Sequence, residues 1–256
     1  MLVDFSNPEF MERFLALYGV LPRAAPGSDE ATRKALGTLP TGSRKTVLDL
    51  GCGPGAQTLS LASALPDSII VAVDILPSMV VETAGRCRAA GAADRIVATI
   101  ADMATPPVAP GSQDLVWCEG AIYSLGVTEA LRTWRPYLSS SGCVAFTEPI
   151  WLRDDPDEEI LRWWSREYPA ITDAAGIRQA IADAEYRVID SFVLLPETWL
   201  NGYYAPMEAR LPGFLAEYGR DEISLEIAAA AEEEISMFRR FSDTYSYAFF
   251  VVSPEP

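Results

Sequence analysis

The chain has 256 residues, 49% of them hydrophobic and 10% aromatic, with a formal charge of -16 and no histidine. That length and apolar content suffice for one substantial α/β core, while the acidic balance argues against nucleic acid and anionic membrane surfaces, whose phosphates call for a basic patch. Solubility is the plain reading of the charge, and attraction of a cationic substrate is the residual one.

In chain order, Asn7-Pro8 opens a helix with Phe10, Phe14 and Leu17 on one face and Gly19 at its end. After a loop from Pro22 to Gly27, Ser28 is a good N-cap for a second helix reaching about Leu39, with Asp29 and Glu30 in its first turn. This Pro-Gly-Ser-Asp-Glu entry is either a flap over a ligand mouth or a plain helix start. Strand and helix then alternate: strand 46–50, helix 56–65, strand 69–73, helix 78–90, strands 96–100 and 114–118, helix 127–138, strand 143–148. Such alternation implies parallel strands joined by right-handed crossovers, with helices on both faces. From Asp154 the pattern becomes helical, with Trp163 and Trp164, then a helix from about Thr172 to Ala184 and a strand at 187–195. The loop Asn201-Gly202-Tyr203-Tyr204, an amphipathic helix over Asp221 to Phe241 and a last strand from Tyr245 to Val252 complete the reading.

The most informative run is Asp49-Leu50-Gly51-Cys52-Gly53-Pro54-Gly55, a D-x-G-x-G-x-G turn between a strand and a helix. Its glycines let the backbone approach a ligand, and the helix N-terminus presents free N–H groups to a negative one. Asp49 suits a positive group on the same ligand, so an amino acid moiety fits. The even spacing departs from the dinucleotide pattern G-x-G-x-x-G, because Ala56 stands where the third glycine would fall. Asp74 ends the second strand, where a carboxylate can accept from ribose hydroxyls. Asp102 and Met103 follow the third strand and suit an adenine, one accepting from its amine and the other packing on its ring. Asp49, Asp74, Asp102, Glu119 and Glu148 all fall at strand tips, where ligands of such sheets bind.

With DLGCGPG at 49–55, VDILPSM at 73–79, IADMA at 100–104 and DLVWCEGAIYSLG at 114–126, in that order, the chain resembles the class I S-adenosylmethionine-dependent methyltransferases, within them the small bacterial UbiE-like enzymes acting on small molecules. The resemblance is strong over about 44–151 and loose outside it. It implies an α/β fold, a Rossmann-like doubly wound sheet, mostly parallel with an antiparallel last strand, plus an N-terminal helical cap. It also implies one domain over 1–256: cap 1–43, cofactor core 44–151, helical insertion 152–186, closing strands and helices 187–256. The implied cofactor is S-adenosyl-L-methionine, with contacts carried over onto Asp49, Gly51, Gly53, Gln57, Asp74, Asp102 and Met103; Cys52 and Ile75, beside these, and Glu119 complete the expected set. Glu119 and Tyr123, in the segment that lines the transferable methyl group in that family, are the catalytic candidates, with Glu119 equally suited to the cofactor's ammonium.

Methyl transfer is an in-line displacement that alignment and desolvation can carry, so a dedicated base is not required. Tyr18, Trp151, Tyr203 and Tyr204 are the expected substrate contacts, an aromatic roof able to hold an amine by cation–π attraction. The expected partner is a small-molecule methyl acceptor, with no nucleic acid and no membrane, and a homodimer is left open. A non-catalytic adenosyl-nucleoside binder is the alternative from another class. Met1-Leu2-Val3-Asp4 lacks a basic region followed by an apolar one, and no apolar run has the length of a membrane span, so a cytoplasmic protein is expected. Cys52, Cys87, Cys118 and Cys143 form no C-x-x-C pair, which favours reduced thiols, and without histidine no metal site is expected.

Overall fold

Two N-caps set the entry of the chain. The Asn7 side chain accepts from the backbone N–H of Glu9 and Phe10 to start α1 (Pro8–Tyr18), and Ser28 accepts from Ala31 to start α2 (Asp29–Thr38). The computed structural model describes residues 7–40 and 45–255, so the readings placed on Met1 to Asp4 and on the 43/44 boundary lie outside the described residues.

Alternation follows as β1 (Thr46–Leu50), α3 (Ala56–Ala64), β2 (Ile69–Asp74), α4 (Pro77–Ala89), β3 (Ile96–Ile100), β4 (Gln113–Cys118), α5 (Val127–Trp134) and β5 (Leu138–Trp151). The helix expected to reach residue 138 stops four residues earlier in α5 and becomes a short 3-10 turn, Arg135–Tyr137. Pro136 explains this, since it has no N–H to continue the ladder. Next come α6 (Glu158–Glu167), the two-residue β6 (Thr172–Asp173), α7 (Ala174–Asp183) and β7 (Tyr186–Val193). The chain then runs through α8 (Pro196–Trp199), α9 (Ala205–Tyr218), α10 (Glu222–Phe241) and β8 (Tyr245–Pro254). A π turn, Leu200–Tyr204, joins α8 to α9 where a loop was expected over residues 201–204.

The strand order is β3-β2-β1-β4-β5-β8-β7, with β6 beside β5. β1 to β5 run parallel to one another, and β8 runs antiparallel between β5 and β7. The order turns back between β1 and β4, which opens a crevice at the carboxyl ends of those strands.

Period-two alternation sorts the strands' side chains onto two faces. Leu48, Leu50, Val116, Phe146 and Phe250 pack with α5 and α7 residues such as Leu131, Trp134, Ile177 and Ile181. Val47, Leu115, Trp117, Ala145 and Phe249 pack on the opposite face with Ala35 of α2 and Leu61 of α3. A third apolar cluster joins α1, α6 and α8 to α10 through Leu17, Trp163, Trp164, Trp199, Phe214 and Phe238. The fold is thus α/β, Rossmann-like and mostly parallel, with an antiparallel last strand. Among the described residues no helix is long and apolar enough to cross a membrane.

Candidate functional site

At the carboxyl ends of β1 to β4 lies a cavity of about 450 Å³. Gly51 to Pro54 and Gln57 line one wall, Asp74 to Leu76 and Asp102 with Met103 a second, Glu119 to Ala121 with Tyr123 to Leu125 a third, and Phe14 with Arg23 to Pro26 the cover. The sequence-predicted Gly51, Cys52, Gly53, Gln57, Asp74, Ile75, Asp102, Met103, Glu119 and Tyr123 therefore converge on one space.

The turn is held open from inside. Gly51 has φ +69°, and a Cβ there would overlap the Cβ of Ala121, so only glycine fits at this position without moving the wall. Gln57, on the first turn of α3, donates from Nε2 to the carbonyls of Gly51 at 3.3 Å and Cys52 at 3.1 Å. Asp74 braces the other side, with Oδ2 accepting from Gly53 N and Oδ1 from Leu76 N, each at 2.9 Å. A carboxylate has about four acceptor positions, so Asp74 retains capacity for a ligand. Burial raises its pKa, against the backbone N–H groups that lower it. Exposed Ile75 and half-buried Met103 give the second wall apolar surface beside Asp102.

Asp49 does not reach the cavity, contrary to the expected ammonium contact. Alternation along β1 turns it toward α3, where it is fully buried, with Oδ2 accepting from Thr58 Oγ1 at 2.5 Å and Oδ1 from Gln57 Nε2 at 3.4 Å. Desolvation pushes its pKa up to about 7. It supports the turn from beneath.

Glu119 lines the cavity but is not the free base the sequence suggested. Its Oε1 accepts from Thr32 Oγ1 at 2.7 Å and Trp117 Nε1 at 2.8 Å, and its Oε2 pairs with Arg23 at 3.3 Å. Burial raises its pKa while Arg23, Thr32 and Trp117 oppose the rise, and a carboxylate holding three donors is poorly placed to take a proton. Its geometry is that of an anchor: Arg23 also meets Asp29 at 2.8 Å, Asp29 accepts from Ser60 at 2.5 Å, and Arg86 donates to the Pro22 carbonyl at 2.8 Å. Residues 22–32 are thereby tied across the cavity mouth. Gly120, at φ +68°, makes room for Ala25, whose Cβ a side chain there would overlap. Both readings of the Pro-Gly-Ser-Asp-Glu entry hold at once, since Ser28 caps α2 while Arg23 to Pro26 form the cover. Arg23 and Thr32 carried no local sequence signal, because their partner lies 96 and 87 residues away.

The expected aromatic roof is largely core. Tyr18, Tyr203 and Tyr204 are buried within the helical layer, and Trp151 packs against the same cluster with Trp164 edge-on at 6.3 Å. None of them lines the cavity. Tyr18 stacks on Phe14 at 4.5 Å, so it backs the cover rather than forming it. The tyrosines at 203 and 204 read as exposed only if the segment is a loop; the π turn carries them inward, where Tyr204 meets Trp199 at 5.9 Å. Tyr123 alone of the five predicted aromatic side chains faces the space, and its 49% accessible surface opens to the cavity it lines. Burial raises its pKa, with Cys118 and Glu148 adding to the rise. Among the described residues, no group of His, Cys, Asp and Glu has the arrangement of a metal site.

Residues 47–142 match a family described as "Methyltransferase domain". A trans-aconitate 2-methyltransferase of Paracidovorax citrulli is 29% identical over 226 residues, covering 75% of this chain and 84% of that protein. A malonyl-[acyl-carrier protein] O-methyltransferase of Dechloromonas aromatica is 34% identical over 143 residues, covering 49% and 50% of the two chains. The chain also superposes over 99% of its length, with a TM-score of 0.80 and 18% identity, on all of an S-adenosylmethionine-dependent methyltransferase from Geobacter sulfurreducens in complex with S-adenosyl-L-homocysteine. Residues 47–142 thus match a methyltransferase domain, within a fold shared with S-adenosylmethionine-dependent methyltransferases.

The neighbours from Geobacter sulfurreducens and Thiobacillus denitrificans that share this fold are in complex with S-adenosyl-L-homocysteine. The residues present in this chain fit that group on their own chemistry. The cradle at Gly51 that a Cβ would fill gives backbone approach, the start of α3 offers N–H groups to a carboxylate, and Asp74 and Asp102 offer acceptors to hydroxyls and an amine.

Proposed function

We propose that this chain is an S-adenosylmethionine-dependent methyltransferase acting on a small-molecule acceptor held in the cavity against Tyr123, beneath the cover formed by Arg23 to Pro26. The observation that carries the reading is the convergence of the glycine turn, Asp74, the Asp102-Met103 pair and the Glu119–Leu125 segment on one cavity of about 450 Å³. Such a space suits a cofactor and a small acceptor better than a polymer. A curated relative named for trans-aconitate, a small acceptor, supports it further.

In this reading the N–H groups at the start of α3 hold the cofactor's carboxylate, and Gln57 holds the turn that presents them. Asp74 takes the ribose, Ile75 and Met103 enclose the adenine, and Asp102 accepts from its amine. The bound cofactor supplies an electrophilic methyl group on a sulfonium. The chain's own part is alignment and exclusion of water: the cover closes the mouth, Glu119 positions that cover through Arg23 and Thr32, and Tyr123 orients the acceptor.

Calorimetry with S-adenosyl-L-homocysteine and NAD tests the cofactor assignment, and methyl transfer from labelled cofactor tests the enzyme. The homocysteine form is expected to bind and NAD not to compete. Asp74→Ala removes hydrogen bonds worth about 1.5–3 kcal/mol each before compensation, so affinity is expected to fall about tenfold or more. Unchanged affinity in the folded variant would remove Asp74 from the site.

A further inference from the structure

Behind Tyr123 lies a second group of polar side chains that the reading above does not use. The ring of Tyr168 meets Tyr123 edge-on at 6.0 Å, and the Tyr168 hydroxyl donates to Glu148 Oε1 at 2.6 Å. Glu148 is 1% exposed, and its Oε2 has no hydrogen-bond partner. A buried carboxylate oxygen left without a donor is costly, which marks it as a place where a donor or cation is taken up. Alternation along β5 puts Glu148 on the same face as Phe146 and Ile150, the face on which Cys118 and Ile122 lie, and so under the Tyr123 turn. A second carboxylate, the half-buried Glu234, is hydrogen-bonded by Tyr204 at 3.2 Å, and its charge is felt at Tyr18, Tyr203 and Tyr247 as well as at Tyr123.

The cavity itself has the same bias. Among its described lining residues the acids are Asp74, Asp102 and Glu119, and the only base is Arg23. Arg23 is committed to Glu119 at 3.3 Å and Asp29 at 2.8 Å. A tricarboxylate would meet no uncommitted cation there, whereas an ammonium group would meet the Tyr123 ring, with Tyr168 and the unpartnered oxygen of Glu148 behind it.

We propose that the acceptor end of this cavity recognises a positively charged group, held by Glu148 and the ring faces of Tyr123 and Tyr168, so that an amine- or ammonium-bearing acceptor is selected over a polycarboxylate. The proposal rests on the methyltransferase reading and narrows its acceptor class. It sets this chain apart from the curated relative named for trans-aconitate, itself a tricarboxylate. Tyr123 sits in a single 3-10 turn, Ile122–Ser124, and lines the cavity while Glu148 does not, so this recognition requires the Tyr123 side chain to turn aside when a cation enters. Burial holds Glu148 up to about 7, with the Tyr168 hydrogen bond opposing the rise; an arriving cation would lower it and keep the carboxylate ionised.

The test is calorimetry on the full chain loaded with S-adenosyl-L-homocysteine, titrated separately with dimethylammonium, tetramethylammonium and citrate. Both ammonium ions are expected to bind saturably and citrate not to bind. Glu148→Gln, which keeps the shape and the Tyr168 contact, is expected to weaken them about tenfold or more while changing homocysteine-form affinity less than twofold. Tyr123→Leu is expected to weaken tetramethylammonium severalfold and supplies the decision if the Gln variant fails to fold. Citrate binding more tightly than the ammonium ions, or ammonium affinity unchanged in a folded variant, overturns the proposal. Failure of the homocysteine form itself to bind overturns the methyltransferase reading; its binding without either ammonium ion overturns only the acceptor class.

Discussion

The two halves of the cavity are built on different principles. On the cofactor side, each wall is a short run of sequence at a strand tip, Gly51 to Gln57, Asp74 to Leu76, Asp102 with Met103, and each run makes most of its hydrogen bonds within itself or to the neighbouring tip. On the acceptor side, Phe14, Arg23 and Tyr123 come from distant parts of the chain, and the partners of Arg23 and Thr32 are contributed by β4's end. A shape written in local sequence tolerates little change of residue type. A shape written in long-range pairs can be re-specified by changing the partners.

The sharpest way to break the first half is Gly51→Val. A β-branched residue at φ +69° and in overlap with Ala121 is expected to cost about 2–4 kcal/mol from backbone strain and overpacking together. Cofactor-site affinity should fall about a hundredfold at that cost, measured by titration with S-adenosyl-L-homocysteine. Affinity within a few-fold of the parent would mean that the turn does not meet the ligand as a rigid cradle.

The next effect spans both halves and is read by pH. Asp49 and Glu148 are buried, and desolvation pushes each up to about 7 in the folded chain. Between roughly pH 4 and pH 7 the folded state therefore binds more protons than the unfolded one. The stability this supplies is fully present below the unfolded values and is lost as pH rises through about 7, by up to roughly 4 kcal/mol per group. Thermal midpoints are expected to fall from pH 5 to pH 8, and Glu148→Gln should flatten part of that decline. A parent midpoint that rises over the same range would contradict the assignment. Asp29, Asp114 and Asp221, whose pKa values are lowered by hydrogen bonds and, for Asp29 and Asp221, by arginines, act with the opposite sign and below that window.

Glu119→Gln sharpens the acceptor half. The change weakens a buried pair with Arg23, which keeps Asp29 as a partner, so a loss of about 1–3 kcal/mol is expected. Amide exchange over residues 22–32 should quicken, and affinity for the homocysteine form should stay within a few-fold. Loss of turnover with exchange unchanged would instead restore Glu119 as a group acting directly on the acceptor. The smallest effect is expected from Tyr203→Phe, a core residue outside the cavity: turnover within about twofold and stability within about 1 kcal/mol. A large loss of turnover would place its hydroxyl in the acceptor chamber.

This contrast also explains what the sequence made legible. The strands and the glycine turn were readable because their causes are local: alternation, Asn7 and Ser28 caps, and the spacing of Gly51, Gly53 and Gly55. The convergence of Asp74 and Asp102 followed from strand-tip topology. Asp49 was misplaced because membership of a motif says nothing of which sheet face a side chain takes, and alternation beside Leu48 and Leu50 turned it to α3. Glu119 was placed in the cavity, but its three donors were not legible because tertiary packing supplies them. Tyr203 and Tyr204 went inward when the helices of the closing layer ran on through residues 200–204, a continuity that Asn201-Gly202 conceals.

The insertion of β8 between β5 and β7 also bears on the order in which the sheet can assemble. Val47 pairs with Ile70 across 23 residues (70 − 47), whereas Val144 pairs with Val252 across 108 (252 − 144). Loop-closure entropy grows by about 0.6 kcal/mol for each doubling of the span, so the later pairing carries a penalty about 1.3 kcal/mol larger before any contact repays it. The strands around the glycine turn can zip first, leaving β5 as a bare edge until β8 arrives. In that interval the strand bearing Glu148 offers unpaired amides and carbonyls to any neighbouring chain, making intermolecular pairing along β5 the characteristic hazard of this molecule's folding route.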